Sequence, residues 1–243
     1  MKSVWYVPIV AVMCGAMMAG VAPAREPDPA QGLSEDSAQE KLLAEGIGVL
    51  RAGNPGAAMH DYFDKIIAAN EPRIAGAGKR VYAARTPAES LGYLMEASAG
   101  EGRGAVVFGS QVAYAHFMKA YALVELHRDA DAKAELDAAL ALSPSNSQIL
   151  DEIGAWYMRQ HDWENALQSY QRAQALVSLA PPSAKNMELA VAWRGIGYVY
   201  VEQHRLADAE EMYQKCLELD ADDHKAASEL AYVRGRRARE VAH

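Results

Sequence analysis

The amino-acid sequence predicts a mainly α-helical chain of repeated helical hairpins, on three observations. Composition comes first: 51% of the 243 residues are hydrophobic but only 8% aromatic, with much Ala, Leu and Met, which favours helix over strand. Second, small and aromatic residues recur at constant offsets in the second half of the chain. Third, turn-forming residues such as Asn54-Pro55-Gly56 and Pro144 separate the helical stretches.

Residues 1–24 read as an export signal. Lys2 and the α-amine make a small positive start, Val4 to Ala22 is uncharged and mostly apolar, and Ala22-Pro23-Ala24 offers the small residues cut by signal peptidase. Cleavage after Ala24 would make the protein periplasmic or secreted, with no stable membrane insertion. The apolar stretch also approaches the ~20 residues that span a bilayer, so a retained N-terminal membrane anchor is the alternative. Pro8, Gly15 and Gly20 weaken that alternative, and Met13, bulky where a small residue is wanted, argues against lipidation at Cys14. With the signal removed Cys216 stands alone, no intrachain disulfide forms, and stability must come from packing. Residues 25–37 are polar, charged and proline-bearing, and read as a flexible linker.

The recurrence organises the rest. Gly154, Tyr157, Ala166, Tyr170 and Ala173 are spaced by 3, 9, 4 and 3 residues, and Gly197, Tyr200, Ala209, Tyr213 and Cys216 repeat those offsets. Ala120, Leu123, Ala132, Leu136 and Ala139 make an earlier copy, 34 residues before the middle one. The last copy follows after 43, so about nine residues are inserted near Ala180-Pro181-Pro182. Gly154, Gly197 and Ala120 belong where the first helix of a hairpin meets the second, with Ala132, Ala166 and Ala209 as the facing small residues. Tyr170, Tyr213 and Leu136 would fill the space toward the neighbouring hairpin. Cys216 aligns with Ala139 and Ala173, which makes it a buried core thiol.

Residues 113–223 therefore resemble three tetratricopeptide repeats. Leu150, Ile153, Gly154, Tyr157, Ala166, Tyr170 and Ala173 match the family signature in the middle repeat, and Trp193, Ile196, Gly197, Tyr200, Ala209 and Tyr213 match it in the last. The first copy departs from it with His116 and Lys119 where apolar residues are usual. A degenerate hairpin over 38–72 precedes them: Gly46, Val49, Ala58 and Tyr62 fit the register, while Lys65 stands where a small residue is expected. The resemblance implies a right-handed α-α superhelix, a solenoid closed by a capping helix over 224–243 with one face packed and one in water.

Residues 73–112 do not fit the repeat. Thr86-Pro87-Ala88-Glu89 is a capping box with proline at the first helical position. The flanking runs 80–84 and 105–109 are β-prone, so a small α/β insertion is expected near residues 80–109. Two strands alone are marginal and would have to pack on helices.

No catalytic constellation stands out, and neither a cofactor nor a metal site is expected. His127, His161 and His204 fall near hairpin turns, where polar residues belong, and the histidines lack zinc-ligand spacing. Asp220, Asp222, Asp223 and His224 lack the glycine and distal glutamate of a calcium loop and read as the start of the last helix. Gly76, Gly78 and Lys79 lack the spacing of a phosphate loop. The formal net charge of −8 argues against general nucleic-acid binding. Arg234, Arg236, Arg237 and Arg239 read as a solvated capping face.

In tetratricopeptide proteins the first helices of successive hairpins line a groove for an extended peptide or a partner helix. Carried over by register, that wall includes Tyr114, Phe117, Tyr121, Asp151, Met158, Arg194, Tyr198 and Val201. Aromatics, Met and Arg are the residue types enriched at interfaces. Tyr114, Phe117 and Tyr121 have a second reading, as core against residues 80–109. The Lys and Asn of the family's carboxylate clamp are replaced by Phe117, Tyr121, Asp151, Arg194 and Tyr198 among others, so that specialisation is not expected. The expected function is a non-enzymatic scaffold or adaptor of the bacterial cell envelope that binds a protein or peptide. Two alternatives stand beside it: a structural subunit of an envelope complex with no peptide groove, and an enzyme with its site in 73–112.

Overall fold

The computed structural model describes residues 29–99 and 104–241, with the side chains of 36–99 and 104–240. The export signal, Cys14 and the first four linker residues lie outside them. Contacts divide the chain into two units, one ending at Leu142 and one starting at Ser143.

The first unit opens with helix α1 (Pro29–Arg51). The flexible linker expected over 25–37 is thus helical from Pro29 on. At the end of that segment Arg73 stands 4.0 Å from Asp36, and just beyond it Asn70 donates to Gln39 at 2.9 Å. At the other end Gly53 takes a left-handed conformation, φ 80°. Its N–H donates to Leu50 and that of Asn54 to Val49, the pattern of a Schellman stop. Helix α2 (Pro55–Ala58) then starts on proline.

A π-helical turn, Met59–Phe63, separates α2 from α3 (Asp64–Gly76). It corrects the register of the degenerate hairpin. Ala58 is buried as expected, but the wider turn inserts one residue, so Phe63 and Ile66 go into the core with no exposure. Tyr62 is only half-buried and Lys65 is exposed. The misfit at Lys65 is a one-residue phase shift: Ile66 occupies the core place one position on.

Strands β1 (Arg80–Ala84) and β2 (Ala105–Gly109) form on the segments expected, paired in parallel from Arg80↔Ala105 to Ala84↔Gly109. Helix α4 (Pro87–Ala99) is their crossover. Its capping box is in place: Glu89 N–H donates to Thr86 Oγ1 at 3.1 Å, and the Glu89 carboxylate accepts from Arg85 N–H at 2.7 Å and Arg85 Nε at 2.9 Å. So short a sheet holds because both faces are covered. On one, Tyr82 stacks on Tyr93 at 4.6 Å between ring centroids; on the other, Ala83 packs with Val112 and Ala113. The far side of α4 exposes Leu91, Leu94 and Met95.

Helices α5 (Gln111–Glu125) and α6 (Asp129–Leu142) close this unit. His116 and Lys119, the polar departures of the first copy, meet matching carboxylates. His116 Nδ1 lies 2.6 Å from Glu135 Oε2, and Lys119 Nζ lies 2.8 Å from both Glu135 and Asp64. Burial alone would raise the Glu135 carboxyl, but the bonds from His116 and Lys119 outweigh it and hold its pKa below the ordinary value.

The second unit contains α7 (Ser147–Arg159), α8 (Trp163–Leu176), α9 (Lys185–Glu202), α10 (Leu206–Leu219) and α11 (His224–Val241). The inserted residues after α8 extend α9 at its N-terminus. The extra turn carries Glu188, which accepts a hydrogen bond from the buried hydroxyl of Ser147 on α7. Inside the hairpins a Cβ on Gly154 would come within 2.9 Å of the Tyr170 ring, and one on Gly197 within 2.9 Å of Tyr213. The glycines therefore admit the tyrosine rings, while Ala166, Ala209 and Ala173 are buried beside them. Cys216 is fully buried, its Sγ 3.7 Å from the carbonyl of Ala190, and burial pushes its thiol up to about 12.

Candidate protein-binding surface

The hairpins are set by their turns. His127, His161 and His204 have φ of 57°, 58° and 59°, the left-handed region that favours glycine. Each lies seven residues after the small residue of its copy, as Gly53 does after Gly46. The next N–H reaches back to Leu123, Tyr157 or Tyr200 at 2.8 to 3.0 Å. All four hairpins thus stop their first helix with one motif, three of them with a histidine in place of glycine.

The residues assigned to a groove part company here. In the first unit Phe117 is wholly buried between the edges of Tyr114 and Tyr121, at 5.9 and 5.1 Å. It is core, and its two half-buried neighbours clamp it. In the second unit Asp151 is buried on α7, and Val201 is in the core with Leu206, Leu230 and Val233. Met158 is half-buried, its sulfur 3.6 Å from the hydroxyl of Tyr170. Arg194 is tied to Asp223 by a charge-assisted bond, and Asp223 caps α11 by accepting from Lys225 and Ala226 N–H at 3.1 and 3.0 Å. Packing and pairing claim these four side chains.

Tyr198 keeps part of its ring in solvent on α9, 6.3 Å from Trp163. Burial and the negative field of Glu202 and Glu229 raise its pKa, and its hydroxyl donates to Glu202. Glu229 and Tyr232 on α11 complete this surface. Tyr232 is 51% exposed, which makes it available to a partner. Sequence reasoning treated α11 only as a cap and missed both. The signal was present: Tyr232 follows Tyr198 by 34 residues, the spacing between the first two repeat copies.

Among the described residues no three His, Cys, Asp or Glu side chains are grouped to hold a metal ion, and no helix is long and apolar enough to cross a membrane.

Short antiparallel hairpins joined by a shared stop, with small residues under the rings of the next helix, define a helical-repeat interaction module. Residues 145–222 match the tetratricopeptide repeat family, and this stretch carries its repeats. It is 30% identical over 96 residues to the formate-dependent nitrite reductase complex subunit NrfG of Escherichia coli O157:H7, a match over 40% of this chain and 46% of that protein. The chain thus spans about half the length of that relative. Among solved structures it is similar to Pseudomonas aeruginosa pilF, with a TM-score of 0.59 and 19% identity over 86% of this chain and 72% of that one. MamA of Desulfovibrio magneticus RS-1 gives a TM-score of 0.49 and 18% identity over 82% of this chain and 85% of that one. The likeness to pilF shows the fold, and the tetratricopeptide match supports a scaffold suited to protein–protein interaction.

Proposed function

We propose that the protein is a non-catalytic adaptor of the bacterial cell envelope that holds a protein or peptide partner on the second unit. The observation that carries this reading is the wall formed by α9 and α11. There Tyr198 and Tyr232 keep solvent-facing ring surface, while the neighbouring positions are used up by core packing. Tyrosine supplies large contact area with few rotatable bonds, so it is over-represented where binding energy concentrates. The relative NrfG is named as a subunit of an enzyme complex, which supports a role through partners rather than through chemistry of its own. The envelope location rests on the apolar leader and Ala22-Pro23-Ala24, which also support removal of residues 1–24.

The test is an affinity purification from envelope fractions with wild-type protein and with Tyr198→Ala and Tyr232→Ala. A specific partner should be retained by the wild type and lost from both variants at unchanged melting temperature. Equal retention by all three would remove this wall from the function.

A further inference from the structure

The second unit carries two acidic groups that its own cations do not neutralise, on the same wall as its two exposed tyrosines. Glu229 is half-buried on α11, burial raises its carboxyl pKa, and among the described residues no cation lies within ion-pair distance. Glu202 is exposed at the end of α9 and bonded to the Tyr198 hydroxyl. The nearby arginine, Arg194, is already committed to Asp223. A second, independent observation marks the place. The hydroxyl of Tyr213 is buried without a hydrogen-bond partner among the described residues, and of the neighbouring charges Glu229 acts on it most strongly. A buried hydroxyl left unsatisfied costs free energy, which a polar ligand arriving beside it would offset. Tyr232 already presents a ring face to a cation, with the Arg236 guanidinium 6.0 Å from its centroid.

We infer that the α9–α11 wall is a docking site for a basic peptide segment, with an arginine or lysine of the partner held between Glu202 and Glu229 and flanked by the rings of Tyr198 and Tyr232. Charge complementarity selects this occupant. An unpaired, half-buried carboxylate beside aromatic faces is costly in the free protein. It becomes favourable when a cation with a long apolar stem arrives. An acidic peptide would meet repulsion from both carboxylates. The inference rests on the adaptor reading above and gives it a ligand class.

The test uses the full chain and three fluorescent twelve-residue peptides that alternate leucine and serine with arginine, citrulline or glutamate. Binding is followed by anisotropy at low salt and at 0.5 M salt. The arginine peptide should bind at least tenfold more tightly than the citrulline peptide, and the glutamate peptide should not bind. Glu229→Gln and Glu202→Gln should each weaken the arginine peptide about tenfold, while Glu218→Gln, exposed at the end of α10, should leave it unchanged. Absence of binding by the wild type, or wild-type affinity for the arginine peptide in both wall variants, overturns the basic-peptide site. If the purified envelope partner still needs Tyr198 and Tyr232 but ignores Glu202 and Glu229, the adaptor reading survives and this inference alone is lost.

Discussion

The outer half of the Tyr170 ring lies on the backbone of Gly195, in the next hairpin, as well as on Gly154 in its own. One side chain therefore ties two successive repeats, and glycine is required on both sides of it. A Cβ at Gly195 would overlap the ring, which is 3% exposed and cannot swing away. Gly195→Ala should cost about 1–3 kcal/mol, the usual range for overpacking a core. Gly235→Ala on α11 meets open space and should raise stability by up to about 1 kcal/mol through helix propensity alone. Denaturant unfolding of the two variants checks both signs.

His161 holds a left-handed conformation that costs most L-residues about 1–2 kcal/mol, and glycine gives part of that back as chain entropy. His161→Gly should therefore gain roughly 0.5 kcal/mol. His161→Val should lose stability, because a β-branched residue is strained there. Thermal melts of the pair decide it. If glycine and valine lower the melting temperature alike, the histidine is held by contacts of its own.

Cys216 fills a site that the two preceding copies give to alanine, and its thiol is pushed up to about 12. Almost no thiolate exists at neutral pH, so a disulfide reagent should react only as the protein opens. Labelling should be slow in buffer and fast in denaturant, and Cys216→Ala should bind and fold normally. Rapid native labelling would place the thiol at the surface.

The inferred docking acid has a stability signature. Burial raises the Glu229 pKa above its unfolded value, so as pH climbs the unfolded chain sheds that proton first. Stability is then lost between the unfolded and folded pKa values and stays lower at neutral pH. Glu229→Gln, which does not titrate, should melt higher than wild type at pH 7 and lose that advantage near pH 3.5, below the ordinary glutamate pKa of about 4.3. A variant that melts lower at pH 7 would show that Glu229 has a stabilising partner.

Much of the fold was legible because it depends on local spacing. Gly154 with Tyr170 and Gly197 with Tyr213 announce their hairpins, and Thr86 with Glu89 announces α4. What stayed hidden depends on tertiary partners. The π-helical turn at Met59–Phe63 shifts the core register from Tyr62 to Phe63, with no residue type that marks such a turn. Helix α1 meets Asn70 at Gln39 and Arg73 at Asp36, partners far along the chain. The wall was legible only as a set of positions. Spacing puts Arg194, Tyr198 and Val201 on one helix, but it does not tell that Asp223 takes the first, that the core takes the third, and that Tyr198 stays open. Tyr232 and Glu229 were missed because α11 was read by its arginines rather than by the repeat period.

The central claim, that the α9–α11 wall holds a protein partner, is tested most directly by site-specific photo-cross-linking in intact cells. A benzophenone side chain would replace Tyr198, Tyr232 or, as the outward control on α8, Gln168, which is solvent-exposed. One cross-linked protein should be shared by positions 198 and 232, absent at 168, and diminished when Glu229→Gln is added. The same product at all three positions, or a product at 168 alone, would contradict the claim.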